Sequence, residues 1–273
     1  VQMSSVLPES TLLSRDGAAL PEFSQEELSA FSQNGFVISR QLAPAEICGR
    51  MLAVTRDHVS RQVGPVEFEA DVDYPGSPDS VDSPGGRTVR RLKQAHARDV
   101  IFTDWVSCRP LLQRLKQLLG SSVVMPLTHH NCVMTKQPRF SSDTGWHRDM
   151  RYWSFDKPEL ISVWLALGEE HPENGGLFVI PGSHRIDFGP NQLDERLFFR
   201  ADAPENQELL ESRQAVTLSA GDVLFFHAKT LHAASRNRTS DTKYSAVFTF
   251  RPAANQPLAG TRSSACELLL PRD

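Results

Sequence analysis

The chain has 273 residues, 40% hydrophobic and 23% charged, with a formal net charge of −4 and a pI near 6.2. That balance is ordinary for a globular protein, and no basic stripe interleaved with aromatics supports nucleic-acid binding. No apolar run approaches the roughly 20 residues of a membrane span, no charged-then-apolar segment suggests a signal peptide, and the four cysteines (Cys48, Cys108, Cys132, Cys266) are widely spaced with no C-x-x-C pair. The expectation is a reduced, cytoplasmic protein without a disulfide framework or zinc ribbon.

Residues 1–22 read as a poorly packed leader. Ser24 with Glu27 three positions later forms a capping-box pattern, which opens a helix through Phe31 that Gly35 stops. Phe36-Val37-Ile38 reads as a strand, and Pro44 opens a second helix whose apolar positions Ile47, Met51, Leu52 and Val54 run toward Val63. Residues 64–86 hold four prolines and four glycines and read as one long surface loop. Val89 to Ala95 reads as a strand with basic residues. Arg109 to Leu119 carries leucines on one side and ends at Gly120, the pattern of an amphipathic helix.

Beyond Gly120 short apolar runs recur: Val123 to Met134, Leu160 to Leu167, Leu177 to Ile180, Ala215 to Leu218, Val223 to Phe226 and Tyr244 to Phe250. Turn signals such as Glu173-Asn174-Gly175-Gly176, Pro181-Gly182-Ser183 and Ala220-Gly221-Asp222 separate them, which is the punctuation of a β-sandwich or barrel. An insert from Arg185 to Arg213 breaks the rhythm and includes a helical turn near Glu205 to Leu210. The predicted fold is mainly β with α (α+β). One domain spans 23–273, with a helical layer over 23–120, a β core over 121–252 and a tail over 253–273.

The stretch from Thr144 to Trp153 carries the chemistry. Side chains alternate along a strand, so His147 and Asp149 face the same way across Arg148. An imidazole and a carboxylate side by side are two-thirds of the 2-His-1-carboxylate set that holds Fe(II) on one face and leaves the other open. Alone the pattern is weak. With 9 His and 33 acidic residues, about one His-x-Asp/Glu arises by chance, and His171-Pro172-Glu173 is a second case, set in an exposed turn. The third ligand candidate is His232, on a strand after the Gly221-Asp222 turn. His227 competes for the role, although a His beside Phe225 and Phe226 is more often a hydrogen-bonded core residue.

From about Phe23 to Pro252 the sequence resembles the phytanoyl-CoA dioxygenase family of Fe(II)/2-oxoglutarate oxygenases. The resemblance is carried by Lys136-x-Pro138, Trp146-His147-Arg148-Asp149, Ser162 to Leu167, Asn174-Gly175-Gly176-Leu177, Ile180 to His184 and Gly221 to His227. It implies a double-stranded β-helix (jelly roll) holding iron by His147, Asp149 and His232. It also implies 2-oxoglutarate and O2 as cosubstrates, a small-molecule substrate, and release of succinate and CO2 as a C–H bond is oxidised. Family halogenases lack the carboxylate, so Asp149 implies hydroxylation. The family pairs the far carboxylate of 2-oxoglutarate with an Arg eleven positions past the distal His, and an Asn at plus five marks the register. Asn237 fits that register, but position 243 is a lysine. A lysine offers a point charge without the guanidinium fork.

Three readings of that departure stay open. Lys243 acts with help from a hydroxyl; or Lys136 or one of Arg236, Arg238 and Arg251 replaces it; or the cosubstrate is altered or absent. By the same resemblance Trp164 and Cys132 line the cosubstrate pocket. Arg151, placed on the His147 face by alternation, is the candidate for an anionic or polar substrate group, with Trp153 and Lys136 as further substrate-side residues. Rival functions are a cupin-like metalloenzyme of non-oxidative, isomerase type and a non-catalytic binding member of the family.

Overall fold

The computed structural model describes residues 22–120 and 122–271. The predicted leader, residues 1–22, lies outside them apart from Glu22. The Ser24 hydroxyl accepts from the Glu27 amide while the Glu27 carboxylate accepts from the Ser24 amide, closing the expected capping box on α1 (Gln25–Asn34). Gly35 ends the helix at φ 82°, a left-handed conformation that glycine takes without strain. Strand β1 (Phe36–Ser39) and helix α2 (Ala45–Ser60), opened by Pro44, follow as expected. The segment 64–86 differs from its prediction as one loop. Within it β2 (Val66–Phe68) pairs with β3 (Val89–Lys93), and Glu69 is fully buried. Three residues are too few for a period-two signal, and their place at a sheet edge tolerates the flanking prolines. Helix α3 (Val100–Val106), capped by the Asp99 side chain, has no counterpart in the sequence reading, and α4 (Arg109–Leu119) ends at Gly120 as expected.

The predicted run from Val123 to Met134 is two strands, β4 (Val123–Pro126) and β5 (Asn131–Lys136), parted by a turn over 127–130. Then come β6 (Thr144–His147), β7 (Ile161–Ala166), β8 (Leu177–Val179), α5 (Gln207–Glu211), β9 (Gln214–Ala215), β10 (Val223–His227), β11 (His232–Ala234), β12 (Lys243–Pro252) and β13 (Glu267–Leu269). Among the described residues all ladders are antiparallel. One sheet has the order β1-β10-β7-β12-β5-β3-β2, with β4 joined to β12 and β13 to β4; the other has the order β6-β11-β8-β9. The tail from 253 therefore returns to the sheet through β13.

Strict alternation lets the large sheet bury both faces. Ile161, Val163 and Leu165 of β7, Val223 and Phe225 of β10, and Phe248 and Phe250 of β12 pack outward with Met51, Phe102, Trp105, Leu111 and Leu115 of the helices. Trp164, Ala166, Leu224, Phe226 and Val247, their alternates, pack inward on Leu177, Val179 and Ala234 of the small sheet. This is the jelly-roll core with its helical layer. All four cysteines are free, and among the described residues no helix is long and apolar enough to cross a membrane.

Candidate metal centre

Two ladder positions and one turn build the site. His147 ends β6 and His232 opens β11, and they are direct cross-strand partners, which sets their rings 4.2 Å apart. His232 thus opens a strand of its own, one turn beyond the strand that follows Gly221-Asp222. Extended backbone runs through Arg148 (φ −107°, ψ 140°), so the predicted alternation carries the chain to Asp149, where a 3-10 turn (Asp149–Tyr152) begins. Asp149 Oδ1 lies 3.4 Å from His232 Nε2 and 3.9 Å from His147 Nε2. Bonds of about 2.1 Å at right angles set neighbouring donors about 3 Å apart, so closing on an ion takes only a small contraction. Among the described residues this trio is the one group of its kind, its ligand atoms all within 4.8 Å of one another.

Each imidazole is oriented from behind. His147 Nδ1 donates to the Gly145 carbonyl at 2.8 Å and His232 Nδ1 to the Thr230 carbonyl at 3.1 Å, which leaves both Nε2 lone pairs for an ion. Burial, then the neighbouring His232, holds His147 well below the usual imidazole range. Asp149 accepts from Ser162 Oγ at 2.5 Å on Oδ2 and from His130 Nε2 at 2.9 Å on Oδ1. Burial alone would raise its carboxyl, but His130 and His232 outweigh it and hold the group well below the usual carboxylate range. A buried carboxylate with two oriented imidazoles fits a divalent non-haem iron.

His130 went unnoticed in the sequence. Burial favours its neutral form, yet the Asp149 charge and hydrogen bond prevail and raise it to about 9, with the Cys132 thiol as a further partner. It sits in the turn between β4 and β5, and its ring meets Trp153 edge-on at 5.5 Å. His130→Ala removes one of the two donors fixing Asp149. Partners of this kind are worth about 10- to 100-fold in metal affinity, so Fe(II) should bind that much more weakly in an anaerobic competition against a chelator.

One cleft is lined by the trio together with Trp164, Phe226, Val247, Lys136, Lys243, Arg90 and Arg91. Lys136 and Lys243 are cross-strand partners, so the predicted substrate-side Lys136 stands beside the predicted cosubstrate anchor. Lys243 Nζ lies 3.1 Å from Glu170 Oε2, both side chains being 1% exposed. Trp164 Nε1 also donates to Glu170, at 3.0 Å. Of the other basic candidates, Arg236 is paired with Asp143 at 2.7 Å and Arg251 with Glu267 at 2.6 Å, and Arg238 donates its amide to the Glu173 carbonyl. Cys132 lies outside this cleft, beside His130 in a second cleft that shares His147 and Asp149.

The family model described as phytanoyl-CoA dioxygenase (PhyH) matches residues 31–245. The chain belongs to that family. Within it, the chain is 24% identical over 249 residues to an ectoine dioxygenase of Halomonas elongata, covering 85% of this chain and 71% of that protein. It is 26% identical over 280 residues to an ectoine dioxygenase of Streptomyces anulatus, covering 94% and 89%. Among solved structures, EctD from S. alaskensis in its apoform superposes with a TM-score of 0.71 at 19% identity, covering 92% of this chain and 88% of that one. The epimerase SnoN does so with a TM-score of 0.67 at 20% identity, covering 85% and 84%. Both share the fold of this phytanoyl-CoA dioxygenase family member.

The second cleft is its mouth, lined by Arg91, His129, His130, Arg151, Tyr152, Trp153 and Arg262. Arg151 comes there by the 3-10 turn, not by the predicted strand alternation. Its guanidinium stacks 3.9 Å over the Phe198 ring and donates to the Tyr74 hydroxyl at 3.2 Å, while Nη1 is buried without a partner. Trp153 stacks on His129 at 4.7 Å. His227 stands apart from the trio. Its Nδ1 accepts from the Lys229 amide, and burial, with His184 nearby, pushes it down to about 4.

Proposed function

We propose that the protein is an Fe(II)- and 2-oxoglutarate-dependent oxygenase that hydroxylates a C–H bond of a small molecule. The observation that carries this reading is the His147, Asp149 and His232 trio, gathered on one side of a position whose other side opens into clefts. When bound, Fe(II) supplies activation of O2 coupled to oxidation of 2-oxoglutarate to succinate and CO2; the protein supplies positioning and exclusion of side reactions. His147 Nε2, Asp149 and His232 Nε2 hold the ion, and the carbonyls of Gly145 and Thr230 keep both rings turned toward it. Trp164, Phe226 and Val247 wall the cosubstrate side against water, with Lys136 as positive charge on its floor. Asp149 fills the position a halide would need, which supports hydroxylation over halogenation. On the open side Arg151 and Trp153, with Arg91 and Arg262, favour a substrate that carries an anionic or polar group. The relatives named ectoine dioxygenase support a small-molecule substrate.

Fe(II) with 2-oxoglutarate under anaerobic conditions should give the visible charge-transfer band of a chelated 2-oxo acid. His147→Ala should abolish it, and admitting air with substrate should yield succinate. Well-loaded iron without a band, or substrate conversion without succinate, would return the protein to the non-oxidative class.

A further inference from the structure

We propose that the far carboxylate of the 2-oxo acid is bound by Lys136, while Lys243 is held by Glu170 and takes no part as its anchor. This rests on the oxygenase reading above and adds which of two adjacent lysines reads the dicarboxylate.

The two side chains are cross-strand partners on β5 and β12, and both line the cleft that contains the trio. Residues directly opposite on antiparallel strands set their Cβ atoms about 5 Å apart on one face, so position alone does not choose between them. Charge does. Lys243 Nζ is committed to Glu170 at 3.1 Å and to Ser245 Oγ at 2.9 Å, and Ser245 closes the triangle by donating to Glu170 at 2.7 Å. That unit is neutral as a whole. Lys136 Nζ donates to the Ser142 carbonyl and, at 3.5 Å, to Thr144 Oγ1, and among the described residues it makes no ion pair. An ammonium carries three donors, so one remains for a ligand.

The neighbouring cations share a single carboxylate. Arg90 Nη1 is held by Glu67 at 2.7 Å, and Arg91 and Lys93 share that carboxylate. Glu69 spends Oε2 on the Ser142 amide and hydroxyl. Burial first, then Arg90 and Lys243, push the Lys136 ammonium down to about 7, with Glu69 opposing. An incoming carboxylate relieves that strain on the charged form.

Conspicuous pieces of the sequence converge on Lys136. Asn237 Nδ2 donates to its carbonyl at 2.8 Å. Gly175, at φ 88°, lies against its stem, where a Cβ would come within 2.8 Å of Lys136 Cγ and 2.9 Å of the Ser235 carbonyl. The Asn-Gly-Gly turn and the register asparagine thus both fix where this lysine stands.

The test is calorimetric titration of the anaerobic, Fe(II)-loaded protein with 2-oxoglutarate and with 2-oxobutanoate, which lacks the far carboxylate. The native chain should prefer 2-oxoglutarate. Lys136→Met should weaken 2-oxoglutarate by about 10- to 100-fold, the scale of a hydrogen bond to a charged group, and leave 2-oxobutanoate unchanged, which also shows an intact fold and metal site. Lys243→Met/Glu170→Gln, which removes the neutral unit as a unit, should keep the native preference. A preference that survives Lys136→Met overturns the proposal, as does a native chain that binds both acids equally. Failure of loaded iron to bind either acid overturns the oxygenase reading itself.

Discussion

Asp149→Ala is expected to release Fe(II) during desalting and to lower succinate formation by at least about 10³-fold, equivalent to about 4 kcal/mol of transition-state stabilisation. The carboxylate is the one anionic member of the trio, and the ion's charge is otherwise faced only by neutral imidazoles. It is also the hub of a wider arrangement. Oδ2 accepts from Ser162 on the inner face of β7 and Oδ1 from His130 in the β4–β5 turn, so Asp149 ties the large sheet to the small sheet that carries both histidines. Removing it strands two donors, each worth about 1.5–3 kcal/mol when bonded to a charged group. Thermal unfolding should therefore shift down while the fold persists, since His130 lines both clefts and can turn to water, whereas the fully buried Ser162 hydroxyl loses its acceptor. Asp149→Asn separates the two effects, because the amide oxygen still accepts from His130 and the Ser162 hydroxyl can turn to accept from the amide NH2, while the side chain supplies no charge. Its melting temperature should stay near that of the native chain while iron retention falls almost as far as in the alanine variant. Iron content after anaerobic loading and desalting, read against succinate yield, checks both. An Asp149→Ala protein that keeps iron and turnover would remove the carboxylate from the metal site.

What could be read from the residues follows a physical division. Alternation along β7, β10 and β12 is legible because each strand buries both faces, so Ile161, Val163 and Leu165 announce one core while Trp164 and Ala166 announce the other. The three residues of the trio stand in ordered motifs and local parity pairs His147 with Asp149, but only the β6–β11 ladder brings His232, rather than the competing His227, beside them. His130 was not legible. A run of apolar residues from Val123 to Met134 hides the turn that carries it, and nothing distinguishes it from His129 until the sheet folds it onto Asp149. The 3-10 turn after Arg148 was equally hidden, so Arg151 was placed by the wrong period although it does reach the mouth of the site. Glu170 is the hardest case. In sequence it belongs to a turn-rich acidic run, and only a contact across 73 positions makes it the partner of Lys243. The substitution at position 243 was visible; the acid that answers it was not.

Lys243→Met alone is expected to destabilise the protein by about 3–5 kcal/mol, the range for breaking a buried ion pair by removing one partner, which lowers Tm by roughly 6–20 °C in a chain of this size. The effect does not come from the lost attraction. Both side chains are 1% exposed, so deleting the ammonium leaves the Glu170 carboxylate buried with only the Trp164 indole and the Ser245 hydroxyl as donors. Stranded charge of that kind is far more costly than an absent pair. Two consequences separate this account from a simple packing defect. Methionine fills much of the lysine stem's volume beside Trp164, whose ring lies 4.9 Å from Nζ, so a packing defect would be small and insensitive to pH. A stranded carboxylate makes the deficit largest at neutral and alkaline pH and smaller in acid, where the group can take up a proton. Adding Glu170→Gln to Lys243→Met should restore most of the lost stability, since the amide still accepts from Trp164 and Ser245 and carries no charge. Denaturant melts of the two variants at pH 5 and pH 8 check the argument, and it fails if the double variant is no more stable than the single one.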